Sequence, residues 1–187
     1  MRRFGLTRLV DRAAIIAAFV GVGMAVMVGI SFLLVIPVEP VYWLLAAPSG
    51  LLIGYYANAR ADRRAGPWRR ILANAVVAGA VTAVTMAGLM LGVKALFFSA
   101  DDGYRDPGLG GNIECSTGAD CVYRRYLEAQ AEDLLAAGVT DAASFGPYYW
   151  DQQLATARFV AGLATIGALA GGLIYGATRA RAPNAAA

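Results

Sequence analysis

Apolar and polar positions divide this chain into four long apolar runs and one polar segment. The apolar runs cover residues 13–36, 41–57, 71–98 and 150–178, and a polar, acidic segment, 99–151, separates the last two. A helix of about twenty apolar residues matches the hydrocarbon core of a bilayer, which is about 30 Å thick. The pattern therefore predicts an all-α integral membrane protein: a four-transmembrane-helix bundle with a partly helical extracytoplasmic loop domain between helices 3 and 4.

Arginines beside the apolar runs predict the orientation of the helices. They are concentrated in the N-terminal segment 1–12, in the short loop after the second run and in the tail 179–187. Short loops rich in Lys and Arg remain cytoplasmic, and these clusters share one side of the membrane only if the chain crosses four times. Both termini are therefore predicted to be cytoplasmic, and segment 99–151 extracytoplasmic. The first run exceeds the apolar core of a cleaved signal peptide, about 7–15 residues, so we expect it to be retained.

The chain's net charge of +3 combines an acidic segment with basic segments elsewhere. Segment 99–151 holds ten acidic residues against three arginines, a net charge of −7, and the basic remainder lies beside the apolar runs. This arrangement indicates a lipid bilayer as partner and argues against nucleic acid. Arginine also greatly outnumbers lysine, which is typical of a GC-rich bacterial genome. The predicted location is therefore a bacterial cytoplasmic membrane.

One helix is predicted within the polar segment, over residues 120–137. Its apolar residues recur at the spacing of a single helix face: Tyr123, Leu127, Ala131, Leu134 and Leu135. Gly138 is expected to end this helix, and Thr140 to cap a following turn or short helix. The apolar face needs a cover, which is either the rest of this chain or another protein.

The two cysteines, Cys115 and Cys121, lie in the same polar segment. On an oxidising side of the membrane such a pair is expected to form a disulfide, which stabilises by roughly 2–2.5 kcal/mol for so short a loop. The alternative is a membrane thiol–disulfide oxidoreductase. Such enzymes use a closely spaced reactive pair and a second pair to relay electrons, so the wider spacing and the single pair favour a structural bridge.

Only two charged residues interrupt the apolar runs well inside their ends, Lys94 and Arg158. Each is within one or two turns of the predicted outer end of its helix, so a long side chain reaches the interface or pairs with a nearby carboxylate. The sharper hypothesis is a shallow cationic site for an anion or a lipid headgroup. No acidic residue lies near the middle of a run, which argues against an ion-coupled carrier.

Metal and cofactor chemistry has little support in the sequence. The chain has no histidine, so His-ligated haem, zinc or copper is excluded. Acidic residues within 101–114 supply oxygen ligands, but their order does not match a calcium-binding EF-hand loop, and a solvated acidic loop is favoured. We predict no metal site, no cofactor and no catalytic residue.

Small residues recur at every fourth position of the apolar runs, a pattern that lets membrane helices approach closely. The glycines expected to pack helices are Gly21, Gly29, Gly50, Gly54, Gly79, Gly172 and Gly176. We assign most of them to contacts within the bundle, and the surplus to a protein partner or a homo-oligomer.

Taken together, these patterns predict a non-enzymatic membrane protein, such as an accessory, assembly or scaffold subunit whose outer loop docks a partner. Two other classes remain open. One is a transporter or channel for a small solute or lipid, which would use the glycine-rich helices and Pro48. The other, which the cysteine spacing disfavours, is a thiol–disulfide oxidoreductase.

Overall fold

The computed structural model describes residues 10–34, 39–61, 67–100, 115 and 117–180. It contains five helices: α1 (Arg12–Leu34), α2 (Glu39–Ala59), α3 (Trp68–Ala100), α4 (Ala119–Ala136) and α5 (Ala142–Ala180). The prediction of an all-α protein is confirmed. Most of the basic N-terminus, the Gly/Asp-rich part of the polar segment and nearly all of the C-terminal tail lie outside the described residues.

Three of the described helices are long and apolar enough to cross a membrane. The stretches that meet this condition are Arg12–Gly29, Trp68–Ala100 and Ala142–Thr178, which belong to α1, α3 and α5. This supports the predicted membrane protein. The fourth predicted crossing, α2, is not among the three, and its sequence is interrupted by Pro48.

The chain divides into two compact units. Unit 1 comprises residues 1–89 and 158–187, and unit 2 comprises residues 90–157. Unit 1 contains α1, α2 and the larger parts of α3 and α5. Unit 2 contains the end of α3, all of α4 and the beginning of α5.

In unit 1, α1 and α3 run in the same direction. Gly21 lies against Thr82, and Gly29, further along α1, lies 3.5 Å from Leu89 when a Cβ is built on it. Helix α1 is antiparallel to α2, because Ala14 and Ala17 at its start share a core with Ile53 and Ala57 near the end of α2. Consecutive helices therefore alternate in direction here.

Helices α2 and α5 are parallel and touch through their backbones. A Cβ built on Gly50 would lie 2.8 Å from the carbonyl carbon of Ala164, and one on Gly54 would lie 2.7 Å from that of Ala168. The approach is reciprocal, since a Cβ on Gly171 would lie 2.8 Å from the backbone nitrogen of Tyr55. Backbones come this close only where both helices present small residues.

Helix α5 runs against α3 in the opposite direction. A Cβ on Gly172 would lie 2.8 Å from that of Ala75. One turn later on α3, Gly79 lies against Ala168, which is one turn earlier on α5. Gly176 lies under the ring of Trp68 at the start of α3. The direction thus alternates along the sequence for α1, α2, α3 and α5.

The interior of unit 1 is rich in small residues, and many of its large apolar side chains lie on the surface. The buried alanines of unit 1 include Ala13, Ala14, Ala17, Ala18, Ala25, Ala46, Ala57, Ala75, Ala78, Ala83, Ala164 and Ala168. By contrast, Phe19 is 73% exposed and Val84 is 71% exposed. A soluble protein buries its large apolar side chains, so this reversed distribution matches a surface that lipid covers.

In unit 2, α4 ends in a glycine-based cap. Gly138 has φ of +74°, and the N–H groups of Gly138 and Val139 donate to the carbonyls of Leu135 and Leu134 at 3.0 and 2.9 Å. This is the Schellman arrangement, with a buried contact between Val139 and Leu134. The helix therefore spans residues 119–136, one residue from the predicted bounds.

The predicted apolar face of α4 is only partly correct. Leu134 is fully buried, but Leu135, expected on the same face, is 65% exposed. Consecutive residues of a helix point about 100° apart, since one turn takes 3.6 residues, so only one of these two neighbours faces the core. A kink at Gln130, whose φ and ψ of −147° and 40° are not helical, also interrupts the regular spacing before them.

Asp141, not Thr140, caps the helix that leads into the last apolar run. The Asp141 carboxylate accepts hydrogen bonds from the Ser144 N–H and hydroxyl, both at 2.7 Å. The first of these satisfies one of the free backbone donors of the first turn. A single helix runs from Ala142 to Ala180, where a capped turn and a separate helix over 150–178 were expected.

An aromatic core holds unit 2 together. Phe145 is fully buried, with the rings of Tyr126 and Tyr123 at 5.0 and 5.5 Å, and Tyr149 stacks on Phe98 at 4.8 Å. These rings belong to α3, α4 and α5. The buried face of α4 is therefore covered by residues of this chain.

Candidate functional site, a polar clamp in unit 1

Four polar side chains meet at one end of unit 1, where three helices begin or end. Asp11 immediately precedes α1, Asn58 lies in the last turn of α2, and Arg70 and Asn74 lie in the first two turns of α3. Asp11, Asn58 and Asn74 are 8%, 1% and 1% exposed, and the Arg70 side chain is 17% exposed. We call these four residues the polar clamp.

Asn74 is the centre of the polar clamp because it contacts two other helices. Its Oδ1 accepts a hydrogen bond from the Asp11 backbone N–H at 2.9 Å. Its Nδ2 donates to Asp11 Oδ2 at 3.2 Å and, in a longer contact, to Asn58 Oδ1 at 3.4 Å. One amide on α3 thus binds both the start of α1 and the end of α2.

Both oxygens of the Asp11 carboxylate are occupied. Arg70 Nη2 donates to Oδ1 in an ion pair, and Asn74 donates to Oδ2. A buried charge is tolerated only when it is paired and hydrogen-bonded. The guanidinium and the amide together meet this requirement, and they fix the direction of the carboxylate.

Asn58 extends the network to backbone groups. Its Nδ2 donates to the carbonyl of Gly54 in its own helix at 3.0 Å and to that of Ile71 in α3 at 3.1 Å. Helix α5 passes beside it, since a Cβ on Gly172 would lie 3.7 Å from Asn58 Nδ2. All four helices of unit 1 therefore meet at the polar clamp.

The local sequence explains how these residues reach one another. Asp11 occupies the N-cap position of α1, and its backbone carbonyl accepts a hydrogen bond from the Ala14 N–H at 2.9 Å. An aspartate there commonly caps its own helix, but this side chain bonds to α3 instead. Arg70 and Asn74 are four residues apart, so they lie on one face of α3.

Both oxygens of Asp11 accept hydrogen bonds from side chains of α3, so the polar clamp joins helix ends through side-chain bonds. One atom stands apart: Arg70 Nε is buried and has no hydrogen-bond partner in the part of the chain that the structure describes.

Nothing in the overall charge pattern singles out the polar clamp. Asp11 stands in a segment whose arginines dominate, and its partner Arg70 is 59 residues away. A weaker signal is present. Three polar residues lie at the ends of apolar runs, and the arginine clusters predict that these ends share one side of the membrane: Asp11, Asn58 and Asn74.

The two cations expected to form an anion or lipid-headgroup site belong to different units. Lys94 is half-buried in unit 2, and its backbone carbonyl accepts a hydrogen bond from the Tyr149 hydroxyl at 3.4 Å. Arg158 is exposed in unit 1, next to Phe159, whose ring meets that of Trp43 edge-on at 5.6 Å. A site shared by the two cations stays a prediction.

The predicted disulfide between Cys115 and Cys121 is present in unit 2, with the two Cα atoms 5.1 Å apart. Cys121 is fully buried in the first turn of α4. The turn between them contains Gly118, whose φ of +106° favours glycine, and a Cβ there would lie 3.7 Å from the Ser99 carbonyl. Burial shields the Cys121 sulfur from attack by a thiol, which favours a structural bridge.

Most of the glycines expected to pack helices have no room for a side chain. A Cβ would come closer than 3.0 Å to a neighbouring helix at Gly21, Gly50, Gly54, Gly79, Gly172 and Gly176. Gly29 makes only an ordinary contact. Two further glycines, Gly167 and Gly171, are equally crowded; they form a small-xxx-small pair that the spacing of the sequence already contains.

Metal-binding groups do not come together in the described part of the chain, where no three His, Cys, Asp or Glu side chains are clustered. The acidic residues considered for calcium fall within 101–114, outside the described residues. Comparison with protein-family models, with curated proteins and with solved structures found no match to this chain.

Proposed function

We propose that this chain is a non-enzymatic integral membrane protein of a bacterial cytoplasmic membrane, with four crossings and both termini cytoplasmic. In this proposal it is an accessory, assembly or scaffold subunit, and its extracytoplasmic segment docks a partner protein. The observation that carries the proposal is the polar clamp. Its side chains are bonded to one another and to backbone across three helices, which suits a structural subunit better than a catalytic or carrier site.

The contacts of α2 support a fourth crossing. Gly50 and Gly54 lie against the backbone of α5, a helix that is itself long and apolar enough to span the bilayer. A helix held at backbone contact with a membrane-spanning neighbour shares its depth. The alternating helix directions in unit 1 support a common side of the membrane for the start of α1 and the end of α2.

The exposed arginines of unit 1 support the proposed orientation. Arg12, Arg60 and Arg69 are exposed and lie within two residues of members of the polar clamp. Because Lys and Arg near helix ends favour the cytoplasmic side, this end of unit 1 is assigned to the cytoplasm.

The outward surface of α4 supports a docking role. Its buried face is covered within the chain, so the surface left for a partner is charged: Glu128, Glu132 and Asp133 are exposed there, together with Leu135. An exposed apolar side chain among charged ones resembles the centre and rim of a protein–protein contact.

Purification with site-specific crosslinking tests the docking role. A photoreactive amino acid at Leu135 should crosslink one protein that also co-purifies stoichiometrically from native membranes in mild detergent. The matched control places the same probe at Ala143, which is exposed at the start of α5 in the same unit. Repeated recovery of a lone chain without a Leu135 crosslink would contradict the proposal.

Thiol labelling in intact cells tests the orientation. A cysteine at Ala143 should react with an impermeant reagent from outside, whereas one at Arg69 should react only after the membrane is opened. Labelling of the Arg69 position from outside would reject the assigned topology.

A further inference from the structure

A group of exposed arginines surrounds the polar clamp without belonging to it. Arg12 follows Asp11, Arg60 is two residues after Asn58, and Arg69 precedes Arg70. Because the polar clamp joins the helix ends that carry them, three guanidinium groups from α1, α3 and the end of α2 lie at one end of unit 1. All three side chains are exposed.

The positive charge at this end is not compensated within the described residues. Asp11 is its only described carboxylate, and that group is already paired with Arg70. Arg12, Arg60 and Arg69 have no ion-pair partner in the part of the chain that the structure describes. Among the described residues, no carboxylate therefore competes with an anion for these three positive charges.

Aromatic residues indicate the depth of these arginines in the membrane. Trp68, which precedes Arg69, is 46% exposed, and its ring covers Gly176. The Arg60 guanidinium lies over the ring of Tyr56, with 5.7 Å to the centroid. Partly exposed Trp and Tyr rings prefer the headgroup level of a bilayer, which is the level of the lipid phosphates.

We propose that Arg12, Arg60 and Arg69 form a cationic surface that binds the phosphate groups of anionic phospholipids at the cytoplasmic end of the bundle. Guanidinium groups attract a phosphate through their positive charge, and they stay protonated. This site is separate from Lys94 and Arg158, and it rests on the membrane location put forward under Proposed function. The proposed ligand is the phosphate of a lipid headgroup, and competition by inorganic phosphate distinguishes it from a soluble anion.

Native mass spectrometry of the full chain in detergent micelles tests the site. The probe is phosphatidylglycerol, compared with phosphatidylcholine. Each arginine near an anionic headgroup contributes about fivefold in affinity, so R12Q/R60Q/R69Q should weaken phosphatidylglycerol binding by about tenfold to a hundredfold. The charge-preserving R12K/R60K/R69K variant should stay within about threefold of the parent chain.

Arg124→Gln is the control, since it removes one exposed arginine from α4 that belongs to no proposed lipid site. It should leave phosphatidylglycerol retention unchanged. An unchanged affinity in the triple glutamine variant, or an equal loss in Arg124→Gln, would overturn the proposal. Displacement of the lipid by millimolar inorganic phosphate would assign the arginines to a soluble anion and also overturn it.

The lysine variant keeps the test decisive if the glutamine variant does not fold, because loss of binding in a folded, fully charged protein would equally refute the site. Partner recovery, which tests the proposed function, is measured in a separate purification. If the chain binds phosphatidylglycerol but co-purifies with no partner, only the proposed docking role is rejected.

Discussion

Replacing Asn74 by alanine tests whether the polar clamp holds three helices together. The change removes the hydrogen bond to the Asp11 N–H and those to Asp11 Oδ2 and Asn58 Oδ1. The Asp11 N–H and the Asn58 oxygen then lose these partners in a buried setting, and the Asp11 carboxylate keeps only Arg70. The expected result is a loosening of α1 and α2 from α3.

The magnitude follows from the groups left without partners. A buried polar group without a hydrogen bond costs about 1–3 kcal/mol, and two such groups arise here. Interhelical hydrogen bonds in membranes are worth less, about 0.6 kcal/mol on average, because the unfolded helices find other partners in the bilayer. Weighing both figures, we expect Asn74→Ala to lower the free energy of unfolding by about 2–4 kcal/mol.

The assay is unfolding by a denaturing detergent from mild-detergent micelles, followed by the fluorescence of the chain's tryptophans. Thr165→Ala is the matched control, because the Thr165 hydroxyl bonds only to the Ala161 carbonyl of its own helix, at 2.8 Å. That bond survives in an isolated helix, so the control should cost less than about 1 kcal/mol.

A double-mutant cycle isolates the clamp interaction from other effects of the substitutions. Asn74→Ala and Asp11→Ala should be coupled by about 1 kcal/mol or more, as contacting polar residues are. The reasoning is refuted if Asn74→Ala costs no more than Thr165→Ala, or if the effects of Asn74→Ala and Asp11→Ala simply add.

Three further predictions concern the helix contact, the disulfide and the α5 cap. Gly54→Ala should destabilise the protein in the same unfolding assay, since its Cβ would lie 2.7 Å from the Ala168 carbonyl carbon. The control, Gly23→Ala, places its Cβ in open space and should stabilise the protein by up to about 1 kcal/mol. Reduction of the Cys115–Cys121 bridge should cost unit 2 roughly 2–2.5 kcal/mol and speed amide exchange in α4; unchanged exchange would show that the bridge does not hold the helix. Hydrogen bonds from the Ser144 N–H and hydroxyl lower the pKa of Asp141. The stability that the cap contributes is therefore fully present above the unfolded-state pKa and is lost as pH falls through the lower folded-state pKa. Amide exchange in the first turn of α5 should therefore rise at acidic pH, and Asp141→Asn, which also caps helices, should remove that pH dependence.

Helix positions were predictable from the sequence because apolar periodicity and turn chemistry are local properties. The bounds of α4 came within one residue, since Gly138 supplies the positive φ that its cap needs. The start of α5 was not predictable with the same certainty, because Thr140 and Asp141 are both good caps. The choice between them depends on the Ser144 side chain, which bonds to the carboxylate.

The packing of α4 shows where periodicity stops being informative. The periodicity predicts Leu134 and Leu135 on the apolar face, yet only Leu134 is buried, because neighbours in a helix point about 100° apart. The kink at Gln130 also breaks the regular spacing. A single residue with non-helical backbone angles shifts every later position around the helix axis. Helix α4 contains no proline or glycine, the residues that usually indicate a kink.

The polar clamp could not be predicted because it depends on contacts between distant parts of the chain. Asp11 and Asn74 are separated by 63 positions, and Asn58 and Asn74 by 16. Each residue taken alone is an ordinary polar side chain near a helix end. Only the alternating directions of α1, α2 and α3 bring them to one place.

The order in which the helices are synthesised determines when the polar clamp can form. Asp11 and Asn58 are synthesised before Arg70 and Asn74, so the paired α1 and α2 lack these hydrogen-bond partners until the ribosome has produced the first two turns of α3. During that interval the carboxylate must stay in contact with water or with the insertion machinery. The start of α1 therefore gains these partners only after the start of α3 has been made, and a chain broken off between them would leave the Asp11 carboxylate without them.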